Sequence, residues 1–192
     1  MSITTKNFLF KYIINIFNTW KDYININKSY KSDIKIFFYV EHSSDWEYLD
    51  PIVEELSLQK HQFIRITSDE NDSYLKNNHT YYIGLGTART FFFKNFKGKL
   101  LVLTLTDLGL SYIKKSIFPT SYFYVFHSIV SSHRIYNEHA FDAYDTIFCV
   151  GPHHIEEIRK TEEYYNLKKK KLVKHGYGKL DRLLKKFSIR NV

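Results

Sequence analysis

Short apolar runs alternate with helix-length segments from residue 34 onward. The runs lie at residues 34–40, 61–67, 81–83, 100–106, 122–126, 146–150 and 171–174. Runs of this length, bounded by polar residues, are typical of buried strands. The segments 152–165 and 179–187 carry apolar residues at helical spacing. The alternation predicts an α/β fold, a Rossmann-like three-layer sandwich whose mainly parallel sheet has about six or seven strands.

A segment at 8–24 precedes these runs and repeats apolar residues at helical spacing. The residues at that spacing are Phe8, Leu9, Tyr12, Ile13, Ile16, Phe17, Trp20 and Ile24. Lys11, Asn15, Asn18, Lys21 and Asp22 lie elsewhere, while Phe10 and Ile14 widen the apolar face, and this pattern predicts an amphipathic helix. Such a helix either packs on its own domain or lies at an anionic membrane surface, and the sequence leaves both open. The predicted organisation is an N-terminal helix within 1–30 and one Rossmann-like domain at 34–192.

Composition narrows the classes of partner. A chain of 192 residues suffices for one well-buried α/β domain. Its net charge of +8 favours anionic partners such as acidic lipid, phosphorylated substrate or nucleic acid. The lysines are spread along the chain apart from a run at 168–171, so no nucleic-acid partner is expected. The single cysteine, Cys149, lies within an apolar run, which predicts a buried, inert thiol.

Targeting features are few. No apolar run approaches the roughly 20 residues that span a bilayer. Lys11 and several asparagines interrupt the first apolar segment, so it lacks the pattern of a signal peptide. We therefore expect a cytoplasmic chain that is at most peripheral to a membrane.

Polar side chains follow the fifth predicted strand directly. In open α/β sheets ligands bind beyond the carboxyl ends of the strands. His127 stands at that end, and an imidazole with a pKa of about 6.5 suits proton abstraction at neutral pH, although a lone histidine there is often structural. Ser128, Ser131 and Arg134 follow, and hydroxyls with a guanidinium can bind a phosphate. The alternative is a serine helix cap beside a surface arginine.

Two further strand ends supply candidate substrate contacts. Asp107 follows the fourth predicted strand. His153 follows the sixth predicted strand, within the segment 151–154. Pro152 of this segment suits the first position of a helix. The free N–H groups of such a helix attract anions. The glycine-containing segment 84–89 has Arg89 where a third glycine would stand, so we interpret it as a tight turn.

Other site chemistries are not indicated. His127, His133 and His139 are six residues apart, a spacing that fits neither one helix face nor zinc-type pairs, so no metal site is expected. The sequence has no Gly-x-Ser-x-Gly segment, the signature of α/β serine hydrolases. No cofactor is predicted.

The order of short segments resembles one enzyme family. Residues 41–56, then His127 and Ser128, then 145–154 and finally 174–181 resemble the N-terminal half of the CDP-glycerol glycerophosphotransferases. The resemblance covers about 34–185. Those enzymes prime or polymerise teichoic acid and related glycerol phosphate glycans.

The resemblance implies one lobe of a glycosyltransferase-B-type fold. The family's N-terminal lobe takes the acceptor and supplies a histidine, in a His-Gly-Thr-Pro context, as the base. His127 is the corresponding residue, while Ser128 replaces the glycine and the Thr-Pro is missing. Gly178 and Lys179 replace a Pro-Arg pair. The C-terminal lobe that holds CDP would begin about where this sequence stops, so we expect the isolated chain to be inactive.

The resemblance also implies an activity and a place. It implies transfer of a polyol phosphate from a CDP-polyol, such as CDP-glycerol, to a hydroxyl of a cell-surface glycan or teichoic-acid-like acceptor. The location would be the inner face of the cell membrane. Two alternatives remain open: a glycosyltransferase lobe that uses a nucleotide-sugar, and a non-catalytic Rossmann-like module that binds a membrane or a partner.

Overall fold

Seven parallel strands form a single sheet. The computed structural model describes residues 3–110 and 113–190, with side chains for 10–110, 113–184, 186 and 187. The strands are β1 (Ile36–Val40), β2 (Phe63–Thr67), β3 (Thr80–Tyr82), β4 (Leu100–Leu103), β5 (Ser121–Val125), β6 (Thr146–Cys149) and β7 (Lys171–Lys174). Their order across the sheet is β3-β2-β1-β4-β5-β6-β7, and every neighbouring pair is parallel. The predicted Rossmann-like sandwich is confirmed.

Helices cover both faces of the sheet. They are α1 (Ile3–Ser29), α2 (Trp46–Leu58), α3 (Thr87–Lys94), α4 (Ser132–Ile135), α5 (Pro152–Tyr164) and α6 (Gly178–Arg190). Successive strand residues point to opposite faces, so Phe37 of β1 belongs to the apolar cluster on the face with α1, α3 and α5, while Phe38 belongs to the cluster on the face with α2. α6 lies against α2. Cys149 is buried, as predicted, and burial raises the pKa of its thiol to about 11.

The N-terminal helix packs on the domain along one side. Ile26 of α1 is fully buried, and Asp22 accepts a hydrogen bond of 2.9 Å from the backbone N–H of Tyr82. The Trp20 ring lies 5.4 Å from the ring of Phe91. The side chains of Phe8 and Leu9, which the sequence assigned to this helix's apolar face, lie outside the described set. Within the described residues, no helix has both the length and the apolar character needed to cross a bilayer.

The strand order fixes where ligands would collect. The chain winds outward in one direction from β1 to β3 and in the other from β4 to β7, so β1 and β4 flank the point of reversal. Crevices in such sheets open at this point, beyond the carboxyl ends of the strands. Asp107, His127 and Gly151 follow β4, β5 and β6, and therefore lie at the carboxyl edge, as predicted. β4 ends earlier than predicted, at Leu103, because the chain turns away there.

Candidate functional site

An imidazole and a carboxylate come together at the point of reversal. His127 follows β5, Asp45 belongs to the short turn after β1, and Thr104 follows β4. The Thr104 hydroxyl donates a hydrogen bond of 3.2 Å to Oδ2 of Asp45. The charges of Asp45 and His127 act on each other. Three neighbouring strands thus contribute one polar cluster.

Three tyrosine side chains flank the His127 imidazole, and a fourth contacts the His127 backbone. The Tyr124 hydroxyl lies 3.2 Å from Nδ1. The ring centroids of Tyr48 and Tyr136 lie 6.0 and 5.9 Å from the imidazole centroid. The Tyr177 hydroxyl donates to the backbone carbonyl of His127 at 3.4 Å, and its ring lies 5.8 Å from that of Tyr48. The imidazole is consequently half-buried and held from several sides.

The electrostatics favour a neutral imidazole at neutral pH. Burial lowers the pKa of His127, although the charge of Asp45 and a hydrogen bond with the Thr104 backbone oppose this shift. Burial also raises the pKa of Asp45, against the hydrogen bond from Thr104 and the charges of His127 and His42. A neutral imidazole can accept a proton, and a nearby carboxylate stabilises the imidazolium that results. The cluster is suited to general-base chemistry.

Helix α5 holds the loop that follows His127. Nε2 of His154 donates to the Val130 carbonyl at 2.9 Å, and Nε2 of His153 donates to the Ile129 carbonyl at 3.1 Å. His154 is fully buried, and its ring stacks on Phe126 at 3.8 Å. His153 is exposed. His153, which the sequence suggested as a substrate contact, therefore already forms a hydrogen bond with the loop backbone.

The predicted phosphate-binding residues are only partly free. The carboxylate of Glu157 accepts hydrogen bonds from the Ser132 backbone N–H and hydroxyl, at 2.7 and 2.6 Å. The Ser131 hydroxyl bonds the same carboxylate. Ser128 Oγ accepts from the Val130 N–H at 3.4 Å. Arg134 is exposed, and among the described residues it forms no ion pair.

Both carboxylate oxygens of Asp107 have hydrogen-bond partners nearby in the chain fold. Its two carboxylate oxygens accept hydrogen bonds from the Thr106 hydroxyl at 2.9 Å and from the Asn137 amide at 3.1 Å. Its backbone N–H donates to the Ala140 carbonyl. Its φ of +60° is uncommon for a residue other than glycine. These contacts fix the loop around Asn137, which packs beside the imidazole cluster through Tyr136.

The other predicted features have structural partners. The segment 84–89 forms a turn at Gly84, whose φ is +60°, and leads into α3, as interpreted. Arg89 points inward and pairs with Glu41. A cavity of about 190 Å³ opens on the far side of Tyr136 and is lined in part by His133 and His139. Across the described part of the chain, no three His, Cys, Asp or Glu side chains are grouped as metal ligands would be.

Sequence reasoning named none of the residues around His127: it missed Thr104, Tyr124 and Tyr136 as well as Asp45, Tyr48 and Tyr177. Asp45 and Tyr48 lie in the segment 41–56, and Tyr177 lies in 174–181, so the resemblance marked their segments but not their side chains. Tyrosine and aspartate near turns are common, and only the folded chain brings these to His127. No family model matches this chain, and searches of curated proteins and of solved structures found no match.

One buried and two half-buried histidines predict how stability depends on pH. Burial lowers the pKa of His127, His154 and His175 below the ordinary value. The unfolded chain protonates histidine at a pKa of about 6.5, so below that pH it binds more protons than the folded chain does. Wherever the unfolded state binds more protons than the folded state, the free energy of unfolding decreases as the pH is lowered. We expect the urea midpoint of unfolding to fall as the pH is lowered from about 7.5 to about 5.5.

A glutamine substitution tests the cause. His154→Gln removes one buried titrating group, so the decline in midpoint with falling pH should become shallower. The exposed His133 provides the matched variant, His133→Gln, which should leave the slope unchanged. An unaltered slope for His154→Gln would assign the acid sensitivity to other groups.

Proposed function

We propose that the chain is the acceptor-side domain of a transferase that moves a polyol phosphate from a CDP-polyol, such as CDP-glycerol, to a hydroxyl of a cell-surface glycan or teichoic-acid-like acceptor. One observation carries the proposal. The segments 41–56, 127–128 and 174–181 are far apart in sequence, yet Tyr48 lies beside the His127 ring, and Tyr177 contacts both Tyr48 and the His127 backbone carbonyl. These segments also carry the resemblance to the glycerophosphotransferases.

The cluster suits the acceptor half of this reaction. His127 takes the proton of an acceptor hydroxyl while that oxygen attacks the β-phosphorus of the CDP-polyol. A bond forms between the acceptor oxygen and this phosphorus, the bond to the bridging oxygen breaks, and CMP leaves. The carboxylate of Asp45 stabilises the imidazolium that forms. Phosphoryl transfer depends mainly on positioning and on charge stabilisation, and the proposal assigns the nucleotide contacts to a second lobe outside this sequence.

The surroundings of His127 also suit a polyol phosphate acceptor. The rings of Tyr48 and Tyr177 offer flat apolar surface for the carbon chain of a polyol. The ammonium of Lys179 lies 5.6 Å from the Tyr48 ring centroid, and the exposed Arg134 follows the loop after His127. Lys179 also pairs with Glu47 at 3.1 Å, so Arg134 is the cation that can attract acceptor phosphates. The acceptor would therefore approach from the side of α2 and α6.

Binding measurements on this chain test the proposal. We expect a soluble oligomer of glycerol phosphate to perturb the NMR signals of the His127 ring, because the acceptor hydroxyl must come within hydrogen-bond reach of it. CDP-glycerol should show no micromolar affinity by calorimetry, because its site belongs to the other lobe. His127→Gln assigns the ring signals, and the distant exposed His61 serves as the reference.

Two outcomes would contradict this assignment. Micromolar binding of CDP-glycerol to this chain would place the donor site here. Acceptor titrations that leave His127 unperturbed, while UDP-sugars perturb it, would favour the nucleotide-sugar alternative.

A further inference from the structure

Helix α1 has an apolar stripe that the domain does not cover. Phe10, Ile13, Phe17 and Ile24 are 67%, 55%, 68% and 51% exposed. Their spacings of three, four and seven residues place them on one side of an α-helix. Exposed apolar residues scattered singly are ordinary, but a contiguous stripe indicates a contact surface. We refer to these four residues as the outer stripe.

The opposite side of the same helix attaches it to the domain. Asn15 donates a hydrogen bond of 2.9 Å to the Tyr82 hydroxyl, Asp22 accepts one from the Tyr82 backbone, and Thr19 and Ile26 are buried. At about 100° per residue these positions lie roughly opposite the outer stripe. The stripe therefore points away from the sheet, and folding of the described chain leaves it uncovered.

The charges of the helix point to an anionic partner. α1 contains four lysines, at positions 6, 11, 21 and 28, and a single acidic residue, Asp22. Asp22 faces the domain, whereas Lys21 and Lys28 are exposed. Each of these lysines lies four residues after a member of the stripe, Phe17 or Ile24, and so on the same side of the helix. The outward side is thus apolar with a basic flank.

We propose that α1 docks the protein on an anionic phospholipid surface, with the helix in the plane of the membrane and the outer stripe inserted among the headgroups. A helix with an apolar stripe and flanking lysines has the pattern of interfacial helices. Phe91 of α3 is half-exposed beside Trp20 and extends the apolar surface. The domain contacts of α1 fix the orientation, so the sheet would stand over the membrane.

A second copy of the chain fits this surface less well. Dimerisation through the outer stripe would bring Lys21 and Lys28 of one copy close to lysines of the other, at a cost in like-charge repulsion. No acidic residue on the outward side of α1 would neutralise them. An anionic bilayer supplies both the apolar depth and the opposite charge.

Sedimentation with vesicles tests the docking. The full chain should sediment with phosphatidylcholine vesicles that contain phosphatidylglycerol, weakly with phosphatidylcholine alone, and less in high salt. Phe10→Ser with Phe17→Ser should lower the partition coefficient about tenfold for each ring removed. Lys21→Glu with Lys28→Glu should lower it at least fivefold per lysine, and only on the anionic vesicles.

A matched variant and a second method complete the design. Leu58→Ser with Tyr164→Ser removes two large side chains elsewhere that are even more exposed than Phe10 and Phe17, and should leave vesicle binding unchanged. Light scattering with the wild type should show a monomer. The proposal would be overturned if vesicle binding were the same with and without phosphatidylglycerol, or if it were unchanged by Phe10→Ser with Phe17→Ser. A dimer that disappears with Phe10→Ser and Phe17→Ser, without vesicle binding, would assign the stripe to a second copy.

Discussion

His127→Ala is expected to lower glycerol phosphate transfer by about 10²- to 10⁴-fold, the range for loss of a positioned proton acceptor. Burial lowers the pKa of the imidazole and so favours its neutral form. The Tyr124 hydroxyl lies 3.2 Å from Nδ1 and orients the ring, so the wild-type side chain is positioned to accept a proton. Alanine leaves the acceptor hydroxyl without a base. The measurement is transfer from labelled CDP-glycerol, with this chain assayed together with the nucleotide-binding lobe that the proposal requires.

His133→Ala is the matched variant for this prediction. His133 lies six residues further along, in α4, and is exposed, so its loss should change transfer far less. The unfolding midpoint separates a catalytic from a structural role. His127 contacts tyrosines but is only half-buried, so the alanine variant should remain folded. If the variant unfolds while activity per folded molecule persists, His127 serves the structure and the base is another group.

Substitution of Asp45 probes the same mechanism at a second residue. Asp45 interacts with the imidazole through charge, and it acts on the reaction only through His127. Loss of that charge should move the pH dependence of transfer to lower pH as well as reducing the rate, because an imidazolium without a neighbouring carboxylate is less stable. Asp45→Asn keeps the shape and an acceptor oxygen for Thr104, which isolates the effect of charge.

The sheet could be predicted because its signal is local. Each strand is a short run of apolar residues, and the helices between them allow only parallel pairing with crossovers. The ends of the strands were harder to predict. The apolar run at 100–106 continues past Leu103, where β4 ends. Apolar residues remain buried beyond the strand, as at Leu108, so hydrophobicity alone does not locate the last ladder pair.

The site could be predicted only as far as strand ends locate it. His127 follows a predicted strand, so its place at the carboxyl edge follows from topology. The partners of each side chain depend on tertiary contacts. Ser131 and His153 carry groups that could bind a substrate, but in the structure Ser131 is hydrogen-bonded to Glu157 and His153 to the Ile129 carbonyl. Asp45 comes near His127 because β1, β4 and β5 are consecutive strands of the sheet.

Helix α1 shows why apolar periodicity can support two interpretations. Apolar residues at helical spacing with lysines on the other side fit both packing on the domain and contact with a membrane, so the sequence left both open. In the structure Ile26 and Thr19 face the domain, and Phe10 and Phe17 face outward. The described contacts establish the first role, and the second is the proposed docking.

His154→Ala should destabilise the domain by about 2–4 kcal/mol, the usual cost of truncating a large buried side chain. The His154 ring is fully buried and stacks on Phe126 at 3.8 Å. Its Nε2–H also satisfies the Val130 carbonyl at 2.9 Å. Alanine removes the ring, leaves a cavity against Phe126 and deprives that carbonyl of its donor, so three losses coincide. Chemical denaturation at neutral pH measures the change in the free energy of unfolding.

The adjacent histidine is the control that the chain itself provides. His153 bonds the neighbouring carbonyl, that of Ile129, from the same helical turn, but its ring is exposed. His153→Ala should therefore cost no more than about 0.5 kcal/mol, as surface changes usually do. Both histidines donate hydrogen bonds to carbonyls of the loop after His127. The difference in unfolding free energy between the two variants therefore measures the contribution of the buried ring, apart from that of the loop contacts. Equal costs would mean that the carbonyl contacts, rather than the packing against Phe126, stabilise this edge of the sheet.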